Sequence, residues 1–179
     1  MNTTVDDLLD RVDQLQTKKD GHATTRAVED LLEQALIAAR EAQDVDAMIE
    51  VALRVALLKR DQGDFESALD DLGDLAVVAR EQGDAFTLAV VLRHMGDIFL
   101  FGEDFEMAES YLGEAVTLLE KVPDVDPLTR AEHFRSLALC FNAQGERENA
   151  QTWWRQARDL FLIAGKEAGA VEAESYLFP

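Results

Sequence analysis

The sequence predicts an all-α fold, a solenoid of antiparallel helix pairs with about nine helices in 179 residues. Three observations predict it. Apolar residues recur at spacings of three and four, with no alternating strand pattern anywhere. Glycine and aspartate breaks interrupt the chain at short, regular intervals. A pattern of small and large residues returns about every 40 residues, a period that signals stacked supersecondary units.

The clearest unit spans 85–122. It reads Leu92, Met95, Gly96 and Phe99 on one helix, then Ala108, Leu112 and Ala115 on the next. The following unit, 127–164, places Phe134, Leu137, Ala138 and Phe141, then Ala150, Trp154 and Ala157 at the same relative positions. The preceding unit, 46–82, holds Ala52, Val55, Ala56, Ala68, Leu72 and Leu75, with Lys59 where the aromatic residue belongs. Ala56 to Gly96 is 40 residues and Gly96 to Ala138 is 42. Counting back 40 from Ala68, Leu72 and Leu75 reaches Val28, Leu32 and Ala35, a degenerate first unit over 4–43. Ala39-Arg40-Glu41 and Ala79-Arg80-Glu81 repeat the same interval.

Each position has a physical reason. The small residue of the first helix (Ala56, Gly96, Ala138) and that of the second (Ala68, Ala108, Ala150) let the two helices approach closely. The large residues fill the space to the next pair. One pair cannot bury both faces, so several must stack.

The turns complete the helix boundaries. Gln62-Gly63-Asp64, Gly102-Glu103-Asp104 and Gln144-Gly145-Glu146 are turns within pairs, with the glycine as C-cap and Asp64 or Asp104 capping the next helix. Asp44-Val45-Asp46 and Gly83-Asp84 separate pairs, and Asp126-Pro127 is an N-cap followed by proline at the first helical position. The predicted helices are 4–19, 25–43, 46–61, 65–82, 85–101, 105–122, 127–143, 147–164 and 167–177. The last follows Gly165 and caps the array. Tyr176-Leu177-Phe178-Pro179 is expected to pack back onto the last pair, with a dimer contact as the alternative. No glycine- or serine-rich linker divides the chain, so one domain over 1–179 is expected.

Composition excludes several functions. Seventeen Lys and Arg against 36 Asp and Glu give a net charge of −19, which repels phosphate backbones and anionic lipid headgroups. Nucleic acid and membrane surfaces are therefore not expected partners. Cys140 is the single cysteine, and no apolar leader or membrane-length run is present, which fits the cytoplasm.

No catalytic or metal pattern emerges, so neither an enzyme nor a cofactor is expected. His22, His94 and His133 are scattered, without a second ligand at metal spacing. The two on helices, His94 and His133, are expected to make surface or interhelix hydrogen bonds. Cys140 sits beside Phe141 on a core-rich helix and reads as a small buried hydrophobe. Gly63 and Gly102 lie in turns that lack a phosphate-loop pattern, and no calcium loop occurs. Trp154 falls on a core position; Trp153, one step round the helix, is expected to be partly exposed against the C-terminal cap.

Leu92, Met95, Gly96, Phe99, Ala108 and Leu112, echoed by Phe134, Leu137, Ala138, Phe141, Ala150 and Trp154, resemble the tetratricopeptide repeat pattern. The resemblance covers roughly Val5 to Ala164. It departs in its longer period and in lacking the pattern's tryptophan and closing proline. It implies a right-handed superhelix and a protein-protein interaction scaffold whose first helices line a concave surface for a peptide or helix of a protein partner. The implied partner-binding residues are Leu53, Leu57 and Arg60 in the second unit. In the third they are Arg93, Asp97 and Phe101, and in the fourth Arg135, Leu139 and Asn142. Arg93 and Arg135 share a register position. With Arg60, and with Arg54 and His94 near them, they form either a positive strip for an acidic, apolar peptide or ion pairs with Glu50, Asp97 or Glu132. Leu53, Leu57 and Asp97 stand where the family's chaperone-binding members carry a lysine- and asparagine-rich clamp, which argues against that specificity. A homo-oligomerisation module, or less favourably a small-ligand sensor, is the alternative function.

Overall fold

The computed structural model describes residues 4–17 and 21–178, with side chains described for 4–17 and 25–178. Among them nine α-helices occur: α1 (Val5–Gln16), α2 (Gly21–Ala42), α3 (Val45–Asp61), α4 (Phe65–Gln82), α5 (Ala85–Phe101), α6 (Phe105–Leu119), α7 (Pro127–Ala143), α8 (Arg147–Ile163) and α9 (Glu167–Leu177). Consecutive helices pair in antiparallel fashion, as the periodicity predicts. None of the described helices is long and apolar enough to cross a membrane.

Most predicted boundaries fall within one residue. The differences have local causes. α2 starts at Gly21 rather than 25, and α1 ends at Gln16 with Thr17 as its C-cap; residues 18 and 19 of the predicted first helix lie outside the described residues. α6 stops at Leu119 rather than 122. Pro123 disfavours helical backbone at Val122, and Asp124 then takes a left-handed turn at φ 54°.

The N-caps follow the sequence. Asp44, Asp84, Asp104 and Asp126 accept backbone N–H bonds from Ala47, Thr87, Met107 and Thr129 at 3.0, 3.0, 3.2 and 3.0 Å. Asp64 accepts from Ser67 at 3.3 Å. The C-caps differ between turns: Gly102 is itself the C-cap of α5, whereas Gln62 and Gln144 cap α3 and α7, with Gly63 and Gly145 one position beyond. Gly63, Gly83, Gly145 and Gly165 take positive φ just past their helices, but Gly102 has φ −78° and Glu103 takes the left-handed conformation at φ 60°. The chain reads Gly-Glu there where the other turns read Gln-Gly or Ala-Gly, so the side-chain-free residue arrives one position early.

The chain forms two compact units, Met1–Asp71 and Leu72–Pro179, and the boundary falls inside α4. In the first unit α2 packs on α1 and α3 around Leu8, Leu9, Val12, Val28, Leu31, Leu32, Ala35 and Val51. Arg54 of α3 reaches Asp13 of α1 and Glu50 of its own helix. In the second unit α5 pairs with α6, α7 with α8, and α8 with α9, and α7 also contacts α5. Trp154, Phe161, Phe134 and Leu137 centre its core, with Trp154 fully buried.

The small-residue positions do what their spacing requires. Ala56, Ala68, Ala108, Ala138 and Ala150 are completely buried, and Gly96 is buried with them. A methyl group at Gly96 would lie 2.6 Å from Leu112 Cγ and 3.3 Å from the Ala108 carbonyl oxygen. Helix α6 therefore approaches α5 more closely there than a side chain permits. Phe99 stacks on Tyr111, ring centroids 5.3 Å apart. Forty residues earlier, Lys59 and Asp71 occupy the same two positions and form an ion pair across α3 and α4.

The chain end packs back as expected: Tyr176 stacks on Trp154 at 4.5 Å and Leu177 is buried. Phe178, by contrast, is exposed, and Pro179 lies outside the described residues. The tryptophan pair is corrected. Trp154, not Trp153, meets the last helix, while Trp153 tilts against Phe134 at 5.1 Å.

These contacts set three expectations for urea unfolding. Gly96→Val should destabilise by about 1–3 kcal/mol through overpacking. Gly113→Ala, on the same pair of helices but with open space around its position, should stabilise by about 0.5–1 kcal/mol. Glu103→Gly should also stabilise, by about 1 kcal/mol, by relieving left-handed strain.

Candidate functional site

The six residues expected on the third and fourth units, Arg93, Asp97, Phe101, Arg135, Leu139 and Asn142, all lie on α5 and α7 of the second unit, two helices that pack together. Leu53, Leu57 and Arg60 lie on α3 of the first unit, half-buried, with Arg60 paired to its neighbour Asp61 at 2.7 Å.

His133 fastens α7 to α5. Its ring is 1% exposed, with Nδ1 2.8 Å from the Thr129 carbonyl oxygen and Nε2 3.2 Å from that of Ala89. A neutral imidazole has one N–H and donates to only one of these acceptors at a time. Burial, assisted by the nearby Arg93 charge, holds its pKa down at about 4 despite both carbonyls. The interhelix hydrogen bond expected for this histidine is present. His94 is buried on α5, with its Nε2 3.1 Å from Arg93 Nη2. His22 lies among the residues whose side chains are not described.

Arg93 pairs with Asp97 one turn on, Nη1 to Oδ2 at 3.0 Å. Arg135 makes a two-pronged pair with Glu172 of α9, Nε to Oε2 and Nη2 to Oε1, both at 2.7 Å. Glu172 holds the Arg135 guanidinium firmly protonated, and Glu132 and Asp97 add to that field. Arg54 is engaged by Asp13 and Glu50. Of the two sequence readings of these arginines, the ion pairs are the ones present. Asp97 and Glu50 were anticipated as partners, whereas Arg135 takes Glu172 rather than Glu132 in its direct pair.

The rest of the face is apolar or amide. Phe101 is 73% exposed at the end of α5, and Leu139 is half-buried against the core. Arg93 Nε and Asn142 Nδ2 are buried donors without a hydrogen-bond acceptor in the protein. Between α7 and the start of α9 a cleft of about 580 Å³ opens, lined by Leu128, Glu132, Arg135, Phe161, Lys166, Glu167 and Glu172 among others. Sequence reasoning missed Glu172 and this cleft because α9 was read only as a cap. The available signal was its glutamate-rich sequence. Cys140 is buried as expected, its thiol pushed up by desolvation. Among the described residues no group of three potential metal ligands comes together.

No protein-family model matches this chain, and no curated protein matches it. Solved structures do. BtubC from P. vanneervenii superposes with a TM-score of 0.71 at 19% identity, covering 96% of this chain and 79% of that one. The tetratricopeptide repeat sensor protein of Pyrococcus horikoshii, a signal transduction ATPase with numerous domains, gives 0.73 at 18% identity. That match covers 97% of this chain but only 26% of the larger one, so this chain spans about a quarter of its length. A Podosopora anserina protein with nearly identical TPR-like repeats gives 0.71 at 12% identity, covering 97% and 82%. At these identities the likeness shows the fold, which is TPR-like.

The position of His133 sets a pH dependence. The unfolded state takes up its proton near pH 6.5 and the folded state only near 4, so the unfolded chain binds more protons between them. Stability from this group is full above about pH 6.5 and declines as pH falls toward 4. Between pH 7 and 4.5 the protein should lose about 2 kcal/mol more than His133→Gln, measured by urea midpoints at each pH.

Proposed function

We propose that this chain is a protein-interaction scaffold whose α5–α7 face holds a peptide or helix of another protein. One observation carries the reading: two adjacent helices of a well-packed unit, α5 and α7, carry Arg93, Asp97, Arg135, Leu139 and Asn142, with Phe101 73% exposed at the end of α5. An exposed aromatic ring supplies the apolar anchor that such interfaces use. Helical repeat arrays offer extended surfaces of this kind. Leu53, Leu57 and Arg60 are proposed as an equivalent set on α3, Arg135 and Leu139 as the central contacts of α7, and Asp97 as the acidic member on α5.

The chemistry of the site favours binding over catalysis. His133, the most displaced titratable group among the described residues, has both ring nitrogens on backbone carbonyls and is closed to a substrate. A second reading, self-association, draws on Ile163, Val171 and Phe178, which are 71%, 64% and 76% exposed on α8 and α9 and at the chain end.

The test compares the intact protein with Phe101→Asp/Asn142→Ala as baits in lysate of the native cell, both checked for folding by circular dichroism. A partner captured by the first should be reduced at least about tenfold by the second, as for loss of a central interface contact. Equal capture would move the interface off this face. A dimer by solution mass that Ile163→Lys/Phe178→Lys disrupts would favour the self-association reading.

A further inference from the structure

Helices α8 and α9 carry a second exposed face, on the side away from α7. Two contacts fix their antiparallel register: Trp154 stacks on Tyr176, and Gly169 lies against the ring of Phe161. The interval is seven residues on each helix, so Arg155 is level with Ser175, Arg158 with Glu172 and Leu162 with Ala168. Trp153 of α8 and Glu172 of α9 turn toward α7, where they meet Phe134 and Arg135. On the opposite flank of α8, Arg155, Arg158 and Leu162 recur at spacings of three and four. Glu167, Val171, Glu174 and Phe178 do the same along α9. Leu162, Val171 and Phe178 are 56%, 64% and 76% exposed, so this face is uncovered among the described residues. The two stripes differ in sign. Arg155 bonds the Gln151 amide at 3.2 Å but makes no ion pair among the described residues, and Arg158 pairs only with its neighbour Asp159. Glu167 and Glu174 are exposed and make no ion pair among the described residues either.

We propose that this face joins two copies of the chain across a two-fold axis parallel to α8 and α9, with Arg155 of each copy against Glu174 of the other and Leu162, Val171 and Phe178 enclosed between them. The proposal rests on the self-association reading above, names its surface and pairing, and is independent of the α5–α7 face. About such an axis, α8 of one copy lies on α9 of the other with every level unchanged. Arg155 then stands one residue from Glu174, Arg158 stands between Glu167 and Glu174 with its stem along Val171, and Leu162 reaches Val171. Each contact occurs twice, because a two-fold interface is isologous. A basic helix of another protein would meet Arg155 and Arg158, and an acidic one would meet Glu167 and Glu174. A second copy meets each stripe with its opposite. The net charge of −19 on each copy repels only at long range, and salt of physiological strength screens that repulsion beyond about 8 Å.

The experiment is sedimentation equilibrium of the intact protein over a range of concentrations, in salt of physiological strength. The unaltered chain should show a monomer–dimer equilibrium. Arg155→Glu and Glu174→Arg change exposed positions, so both variants should keep the helical circular dichroism spectrum. Each should raise the dimer dissociation constant at least about tenfold, by setting like charges opposite each other. An equimolar mixture of the two variants should recover the dimer, because each reversed charge then faces its opposite on the other variant. Recovery on mixing requires the contact to run between copies and not within one. A dimer that withstands both reversals, or a mixture that stays monomeric, would overturn this pairing and leave self-association to another surface. A chain that is monomeric at every concentration would overturn the self-association reading as well. Capture of a partner through Phe101 and Asn142 would be untouched by either result.

Discussion

The close approach of the two helices in each pair is the constraint from which the rest of the structure follows. At Gly96 there is no room for a methyl group against Leu112 and the Ala108 carbonyl, and the equivalent Ala56 and Ala138 are completely buried. Interiors pack like crystals, so a fixed point of contact also fixes the rotation of both helices about their axes. Once α5 and α6 meet at Gly96, Phe99 must lie over Tyr111. Once α7 meets α8, Trp154 is enclosed and leaves a flat surface on which Tyr176 stacks.

Around this constraint, the chemistry at a given position is interchangeable. Lys59 with Asp71 and Phe99 with Tyr111 occupy the same two register positions, one pair joined by charge and the other by ring stacking. A similar substitution of means occurs at the helix ends. Gln62 and Gln144, both C-cap residues, reach Glu29 and Glu109 on the second helix of the preceding pair, whereas Gly102 holds the corresponding place in the pair between. What recurs is size at the tight contact and some complementary pair elsewhere. That accounts for a shared fold with solved structures of 12–19% identity.

The helices and the core were legible in the sequence because both follow from spacing. A small residue every 40 to 42 positions, aspartate at the N-caps and glycine after the helix ends mark the elements almost to the residue. Two local exceptions were not legible. Glu103 rather than Gly102 takes the left-handed turn, and α6 ends early before Pro123. In both, the relevant residue type was present but displaced by one or a few positions. The site was less legible than the fold. Register puts Arg93, Asp97, Arg135 and Asn142 on α5 and α7, since helix placement is again a matter of spacing. It did not reveal that Arg135 is held by Glu172, because that pair is 37 residues apart and depends on how α9 lies against α7. Periodicity says which side of a helix a residue occupies. Partner choice between charges on different helices depends on side-chain reach and on every other charge nearby.

The most direct test of the account is a nuclear Overhauser measurement on methyl-labelled protein, looking from the Gly96 α-protons to the Leu112 methyl groups. The account predicts strong cross-peaks, because the two residues are closer than an added methyl group would tolerate. If Gly96 instead shows no contact with α6 methyl groups while the chain remains helical, the small-residue contact does not set the pairing, and the arrangement of the α5–α7 face that follows from it would be wrong.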